Sequence, residues 1–125
     1  MHLIIGGAYQ GKRAYAKERF GVREEEIFTC TEESGIVFGA PCIDRLEEVT
    51  LWCVRQGQDA GDIFRAHRAE WADSVLICAD IFCGVVPIDP TERAWREEAG
   101  RFYGRISARA EKVFRMFCGL SLELK

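Results

Sequence analysis

The stretch Leu3-Ile4-Ile5-Gly6-Gly7-Ala8-Tyr9-Gln10-Gly11-Lys12-Arg13-Ala14 limits what this chain can fold into more than any other. Three apolar residues suited to a buried strand run directly into two glycines. Four residues separate Gly6 from the pair Gly11-Lys12, and a helix-favouring run follows. This is the strand, glycine-rich loop and helix order of a phosphate-binding P-loop, G-x-x-x-x-G-K-[ST], intact except at its last position. A loop folded round a phosphate needs backbone angles that a side chain obstructs, hence the glycines. Its N–H groups then point inward, and the following helix adds the positive end of its dipole. Gly6, Gly7, Ala8, Tyr9, Gln10, Gly11, Lys12 and Arg13 are therefore the candidate nucleotide-binding residues, with Lys12 reaching the terminal phosphates. The motif's final hydroxyl normally holds Mg²⁺. Arg13 stands there, so the pattern predicts a weakened metal site.

Downstream, a helix is expected from about Lys12 to Phe20, ended by Gly21. Ile27-Phe28-Thr29-Cys30 reads as a second strand and Ile36-Val37-Phe38 as a third apolar run. Pro41 is placed to open a helix whose buried face would use Cys42, Leu46, Val49 and Cys53, at spacings of four, three and four. Another helix carries Ile63, Phe64, His67 and Trp71 on one face, and His67 there reads as a packed histidine before it reads as a nucleophile or base. Ser74-Val75-Leu76-Ile77-Cys78-Ala79-Asp80 is the best strand, nearly continuously apolar as a central parallel strand should be. In P-loop proteins an acid at the carboxyl end of a neighbouring strand helps hold Mg²⁺ or its waters. Asp80 is thus the candidate catalytic and metal-binding carboxylate.

Asp89, Pro90 and Glu92 mark a helix start that continues to about Glu111. Its inward stripe is Trp95, Ala99, Phe102, Ile106 and Ala110. Arg93, Arg96, Arg101, Arg105 and Arg109 give it a basic side, read first as a salt-bridged surface and second as a clamp for an anion. Val113 to Cys118 forms a strand that Gly119 turns into a half-exposed final strand, Leu120 to Lys125. Strands interleaved with helices predict an α/β, P-loop NTPase-like three-layer fold: a mostly parallel sheet, helices on both faces and a C-terminal antiparallel hairpin. Ligands in such sheets bind beyond the carboxyl ends of the strands, where the glycine loop and Asp80 both fall.

A length of 125 residues fits one domain, 1–125, with a real core. Apolar residues make up 48%, too many for a disordered chain. A net charge of −3 gives no electrostatic support to nucleic-acid binding. No stretch approaches the roughly 20 apolar residues of a membrane span, and the N-terminus lacks a signal-peptide pattern, so a cytoplasmic protein without a membrane partner is expected. The six cysteines (Cys30, Cys42, Cys53, Cys78, Cys83 and Cys118) form no C-x-x-C pair and read as reduced core thiols. His2 and His67 are too few for a zinc site, and Glu24-Glu25-Glu26 reads as a solvated connection.

From Leu76 to Lys125 the chain resembles the adenosylcobinamide kinase and adenosylcobinamide-phosphate guanylyltransferase family of cobalamin biosynthesis. The shared features are an apolar strand ending in an acid, then Gly84-Val85-Val86-Pro87, Arg93, Arg96, Gly100-Arg101, and the closing Gly119-Leu120-x-Leu122-x-Leu124-Lys125. Gly6-Gly7-Ala8 with Gly11-Lys12 matches the family's opening. The resemblance implies a P-loop kinase fold, ATP or GTP as donor, Mg²⁺, a corrinoid acceptor similar to adenosylcobinamide, and a homo-oligomer, usually a trimer. The family has Ser or Thr at Arg13, Asn-Glu at Ala79-Asp80, Gly at Phe82 and Asn-Gln at Tyr103-Gly104. It also carries, between its second and third strands, a histidine that becomes nucleotidylated. Thr31 to Gly35, the corresponding connection here, has none, and His67 lies after the third apolar run. The resemblance therefore implies that any retained activity is NTP-dependent phosphorylation of a corrinoid alcohol, with guanylyl transfer by the family's histidine mechanism not expected; the alternative is a non-catalytic nucleotide- or corrinoid-binding relative of the same fold. Arg13 would either replace part of the metal's charge or fill and block the site.

Overall fold

The apolar opening forms β1 (His2–Gly6), which the computed structural model of the chain, describing residues 1–81 and 89–125, places inside a six-stranded sheet. The others are β2 (Ile27–Thr29), β3 (Cys42–Asp44), β4 (Val75–Ala79), β5 (Lys112–Phe117) and β6 (Leu120–Glu123), in the order β2-β3-β4-β1-β5-β6. β1 pairs in parallel with β4, Leu3 opposite Leu76, and with β5, Leu3 opposite Val113. β2, β3 and β4 are also parallel, and only β6 runs antiparallel, with Phe114 opposite Glu123.

Both faces of the central strands are covered, which is why β1 and β4 are apolar at successive positions instead of alternating. Ile4, Ile77, Phe114 and Met116 pack on the side of α1 (Lys12–Phe20) with Ala16 and Val22. Leu3, Leu76, Cys78 and Val113 face the opposite layer, α2 (Leu46–Gln56), α3 (Ala60–Ala66), α4 (Arg68–Trp71) and α5 (Pro90–Arg109), which contributes Leu46, Val49, Phe64, Trp71, Phe102 and Ile106. The result is the expected α/β fold of three layers with a mostly parallel sheet. α5 begins where the capping residues predict. Asp89 accepts from the Thr91 N–H at 2.9 Å and Pro90 occupies the first turn, where its missing N–H costs nothing. No helix among the described residues is long and apolar enough to cross a membrane.

Several elements differ from expectation. The helix expected from Pro41 is instead a strand followed by a helix. Cys42, Ile43 and Asp44 are all buried in β3, and Arg45, at φ 61°, turns the chain into α2. Leu46, Val49 and Cys53 do face the core, so the helical spacing was real from Leu46 onward and Cys42 matched it by coincidence. Ile36-Val37-Phe38 pairs with no strand among the described residues, although Ile36 and Phe38 pack against the core. The helix through Ile63 and Trp71 breaks at His67 into α3 and α4. β6, expected to be half-exposed, is exposed at every position because it is the sheet's edge and no helix among the described residues covers it. Cys30, Cys42, Cys53 and Cys78 are buried free thiols, whereas Cys118 is exposed in the β5–β6 turn. Burial pushes the thiols of Cys30, Cys42 and Cys53 up to about 12, so they stay protonated and inert. Phe82, Cys83 and Gly84-Val85-Val86-Pro87 lie outside the described residues.

Candidate functional site

The loop between β1 and α1 is shaped by two glycines with different physical duties. Gly6 ends β1 so close to β5 that a Cβ there would lie 2.8 Å from the Met116 carbonyl oxygen. Gly11 opens α1 at φ 88°, a left-handed angle that L side chains rarely adopt. Tyr9, at φ 59°, shares that hand and projects fully into solvent. Lys12 Nζ donates to the Gly7 carbonyl at 2.6 Å, so the ammonium curls back over its own loop. The hairpin turn supports the loop from beneath. The Cys118 N–H donates to Gln10 Oε1, and a Cβ on Gly11 would approach Gly119 Cα to 3.7 Å.

The loop forms one wall of a cleft of about 470 Å³ lined by Ala8 to Ala14 and, opposite, by Asp44, Arg45, Glu47 and Ala79. Arg13 spans it. Its Nη1 donates to Asp44 Oδ2 at 2.9 Å and to Thr29 Oγ1 at 2.9 Å, and its Nη2 donates to Glu24 Oε1 at 2.6 Å. The hydrogen bond to Asp44, ahead of that to Glu24, raises the guanidinium's pKa above its ordinary value, so the charge is permanent. Glu24 also meets Lys17, and these two partners lower its pKa. Asp44 is only 5% exposed, and its second oxygen, Oδ1, accepts from the Arg45 N–H at 2.7 Å. Glu47, also 5% exposed, accepts from the Ala79 N–H at 3.0 Å and so ties α2 to the end of β4.

The other sequence candidates fall around this cleft in different ways. Asp80 follows β4 at the sheet's carboxyl edge and donates its N–H to the Gly6 carbonyl at 2.9 Å, while among the described residues the carboxylates that line the cleft are Asp44 and Glu47. His67 lies between α3 and α4, stacked on Phe38 at 4.7 Å with Nδ1 2.5 Å from Glu70 Oε2. The spacing suggested a packed histidine; the ring does stack on Phe38, but it lies at a helix break, is half exposed and pairs with Glu70, so it is a surface residue. On α5, Arg101 pairs with Glu98 at 2.7 Å and Arg105 with Asp59 and Asp62 at 3.0 and 3.2 Å. These two arginines belong to a salt-bridged surface. Tyr103, where the family pattern has Asn, donates its hydroxyl to the Ala79 carbonyl at 2.8 Å; burial holds its pKa well above the ordinary phenol value.

Asp44 and Glu47 are the residues that sequence reasoning missed. Their signal was present in Cys42-Ile43-Asp44, a short apolar pair ending in an acid, the same pattern as Leu76 to Asp80 in miniature. With β3 in place, the connection between the second and third strands runs from 30 to 41, and it too contains no histidine.

Arg13 and Asp44, which face each other where the motif's hydroxyl would stand, do not suit Mg²⁺. That ion needs near-octahedral oxygen ligands at about 2.0–2.1 Å. The hydroxyl of the motif is replaced by a guanidinium, and both oxygens of Asp44 already accept hydrogen bonds, one of them from that same cation. Admitting a dication would place it beside Arg13 after breaking the ion pair. Among the described residues, no group of three or more His, Cys, Asp or Glu side chains is arranged to hold a metal.

Comparison with curated proteins gives no match. The family model described as cobinamide kinase / cobinamide phosphate guanyltransferase matches residues 44–124, from the buried acid of β3 to the residue before the C-terminus. This span supplies the wall of the cleft facing the glycine loop and the turn beneath it, together with α2, α5 and the closing hairpin. On that match, and on the parallel sheet with its antiparallel closing pair, the chain belongs to the cobinamide kinase / cobinamide phosphate guanyltransferase family.

Proposed function

We propose that the chain binds a nucleoside triphosphate, ATP or GTP, at residues 6–13, and that any group transfer it retains is phosphorylation of a corrinoid alcohol. The observation that carries the reading is the loop itself: a left-handed Gly11 opening α1, with the Lys12 ammonium 2.6 Å from the Gly7 carbonyl. A phosphate oxygen would take that carbonyl's place and form the stronger, charge-assisted bond. Backbone N–H groups from 7 to 12 would hold the phosphates, Lys12 would neutralise the transferred group, and Asp80, beside Gly6, would position the attacking hydroxyl. Guanylyl transfer by a nucleotidylated histidine is not part of the proposal, since the connection from 30 to 41 has no histidine.

Calorimetric titration with ATP and GTP tests the binding step. Replacing Lys12 by alanine should weaken either nucleotide by about 10- to 100-fold, the usual weight of a hydrogen bond to a charged group. Equal affinity in Lys12→Ala and the unaltered protein refutes the assignment. Turnover of ATP or GTP with adenosylcobinamide tests the chemistry. A second reading, a non-catalytic nucleotide- or corrinoid-binding relative, is favoured by one observation, the Arg13–Asp44 pair at the metal position. Binding without turnover at high protein concentration would select it.

Self-association fits the same protein. Phe117, Leu120, Leu122 and Leu124 leave an apolar, uncovered edge on the closing hairpin, and edge strands of this kind invite pairing. We take a homo-oligomer, a trimer on the family's pattern, as the working assembly. Light scattering of the unaltered chain and of Leu122→Lys tests it, a monomer in both being the contrary result.

A further inference from the structure

A P-loop normally brings two oxygen ligands together on Mg²⁺, the hydroxyl after its lysine and an acid at the end of a nearby strand. Here the same two places hold a cation and its counter-ion. Arg13 replaces the hydroxyl, and Asp44, at the end of β3, receives its guanidinium at 2.9 Å. We infer that Arg13 stands in for the divalent metal, so that the cleft binds the phosphates of a nucleotide without Mg²⁺.

The geometry gives three reasons. First, the guanidinium is fixed from both sides: Thr29 and Asp44 hold Nη1 and Glu24 holds Nη2. Its position is set before any ligand arrives, as a metal-replacing charge requires. Second, Asp44 is buried and both its oxygens are occupied, so a metal would have to compete with an intramolecular cation of very high local concentration. Third, the glycine loop and the start of α1 bring two cations of their own to the cleft, Lys12, which bonds its own loop carbonyl, and Arg13, which is held by Asp44 and Glu24. Arg45 is itself drawn toward Glu47 at 3.6 Å and Glu48 at 3.0 Å, leaving Lys12 and Arg13 as the cations nearest the loop. A guanidinium binds phosphate oxygens through several N–H groups at once and needs no dehydration of a tightly held water shell. It carries a single charge where Mg²⁺ carries two, so it supports binding better than the charge build-up of phosphoryl transfer.

The inference rests on the nucleotide reading above, and the test separates the two. The unaltered chain is titrated with ATP and with GTP, once in EDTA and once in millimolar Mg²⁺, and the dissociation constants are compared. The expected result is binding in EDTA within about threefold of that in Mg²⁺, well short of the tenfold step that one lost charge-assisted bond would bring. Arg13→Ser, which restores the motif's hydroxyl and frees Asp44, should bind about 10- to 100-fold more weakly in EDTA and recover with Mg²⁺. Arg13→Lys keeps the charge and should remain independent of the metal, which guards against a fold defect in the serine variant. Binding by the unaltered chain that depends on Mg²⁺ by tenfold or more overturns the inference and leaves the nucleotide reading standing. Failure to bind either nucleotide in both conditions overturns the two together.

Discussion

Replacing Gly6 by alanine should destabilise the chain by about 1–3 kcal/mol, the usual cost of forcing an extra carbon into a packed interior. The motif treats the loop's glycines alike, but the structure separates them. A Cβ on Gly6 would meet the Met116 carbonyl oxygen at 2.8 Å and Met116 Cβ at 3.1 Å. Met116 is buried and pairs with Gly6 in register, so relief requires β1 and β5 to part. A Cβ on Gly7 meets only Gln10 Cγ, at an ordinary 3.6 Å, and Gly7 has no positive φ. Alanine there should shift stability by less than about 0.5 kcal/mol. Gly11 has room but the wrong hand, φ 88°, and alanine should cost about 1–2 kcal/mol. The two costly sites differ in their remedy. Asparagine tolerates the left-handed region, so Gly11→Asn should recover part of what Gly11→Ala loses, whereas Gly6→Asn should be no better than Gly6→Ala. Urea unfolding followed by circular dichroism supplies the free energies from midpoint and slope. Equal stability of Gly6→Ala and Gly7→Ala, or no recovery in Gly11→Asn, would refute the reasoning.

Three further outcomes are expected. Asp89→Ala removes the side chain that accepts from the Thr91 N–H at the start of α5, and should lower unfolding stability by about 1 kcal/mol in the same urea assay. Burial, ahead of the nearby amino terminus, lowers the pKa of His2 below 6.5, so the unfolded chain takes up a proton that the folded chain resists. Stability should therefore fall as the pH drops through 6.5 and level off below the folded pKa, and His2→Gln should flatten that part of the urea-midpoint profile. In a Cys83→Ser background, a thiol reagent should modify Cys118 rapidly. Cys30, Cys42, Cys53 and Cys78 should react only on unfolding, because burial keeps them protonated. Rapid reaction at more than one thiol would contradict their burial.

What was legible in the sequence was whatever had local chemistry. The loop from Gly6 to Lys12, the capped start of α5 at Asp89-Pro90 and the turn at Cys118-Gly119 each follow from residues a few positions apart, and each stands where the pattern put it. The long apolar run at Val75 to Ala79 was legible for the same reason. β3 was not. Its three residues are too few to show a period of their own, and Cys42 happened to fall in phase with the helix that follows. What makes Cys42–Asp44 a strand is pairing with β2 and β4, a non-local condition that no window of sequence contains. The misplaced boundary hid Asp44, and with it the most informative contact in the site.

That contact explains how a departure from the motif can persist. An arginine at position 13 with no acceptor would crowd the loop with an unpaired charge. Asp44 removes the difficulty, and it is the first residue of the span that matches the family. Glu24 and Thr29, from the turn before β2 and from β2 itself, complete the guanidinium's shell. The altered position is thus held by residues of three segments, two of them paired strands of the sheet and the third the turn that leads into β2. Exchanging Arg13 alone would leave Asp44 buried with one charge partner missing, which is a costly state. The same argument gives Asp44→Asn a definite expectation. It should loosen the guanidinium, which Glu24 and Thr29 still hold, without creating a buried charge, so it should weaken nucleotide affinity more than fold stability. The opposite order, a large stability loss with affinity unchanged, would mean that the pair is a brace for β3 and has no part in holding phosphate.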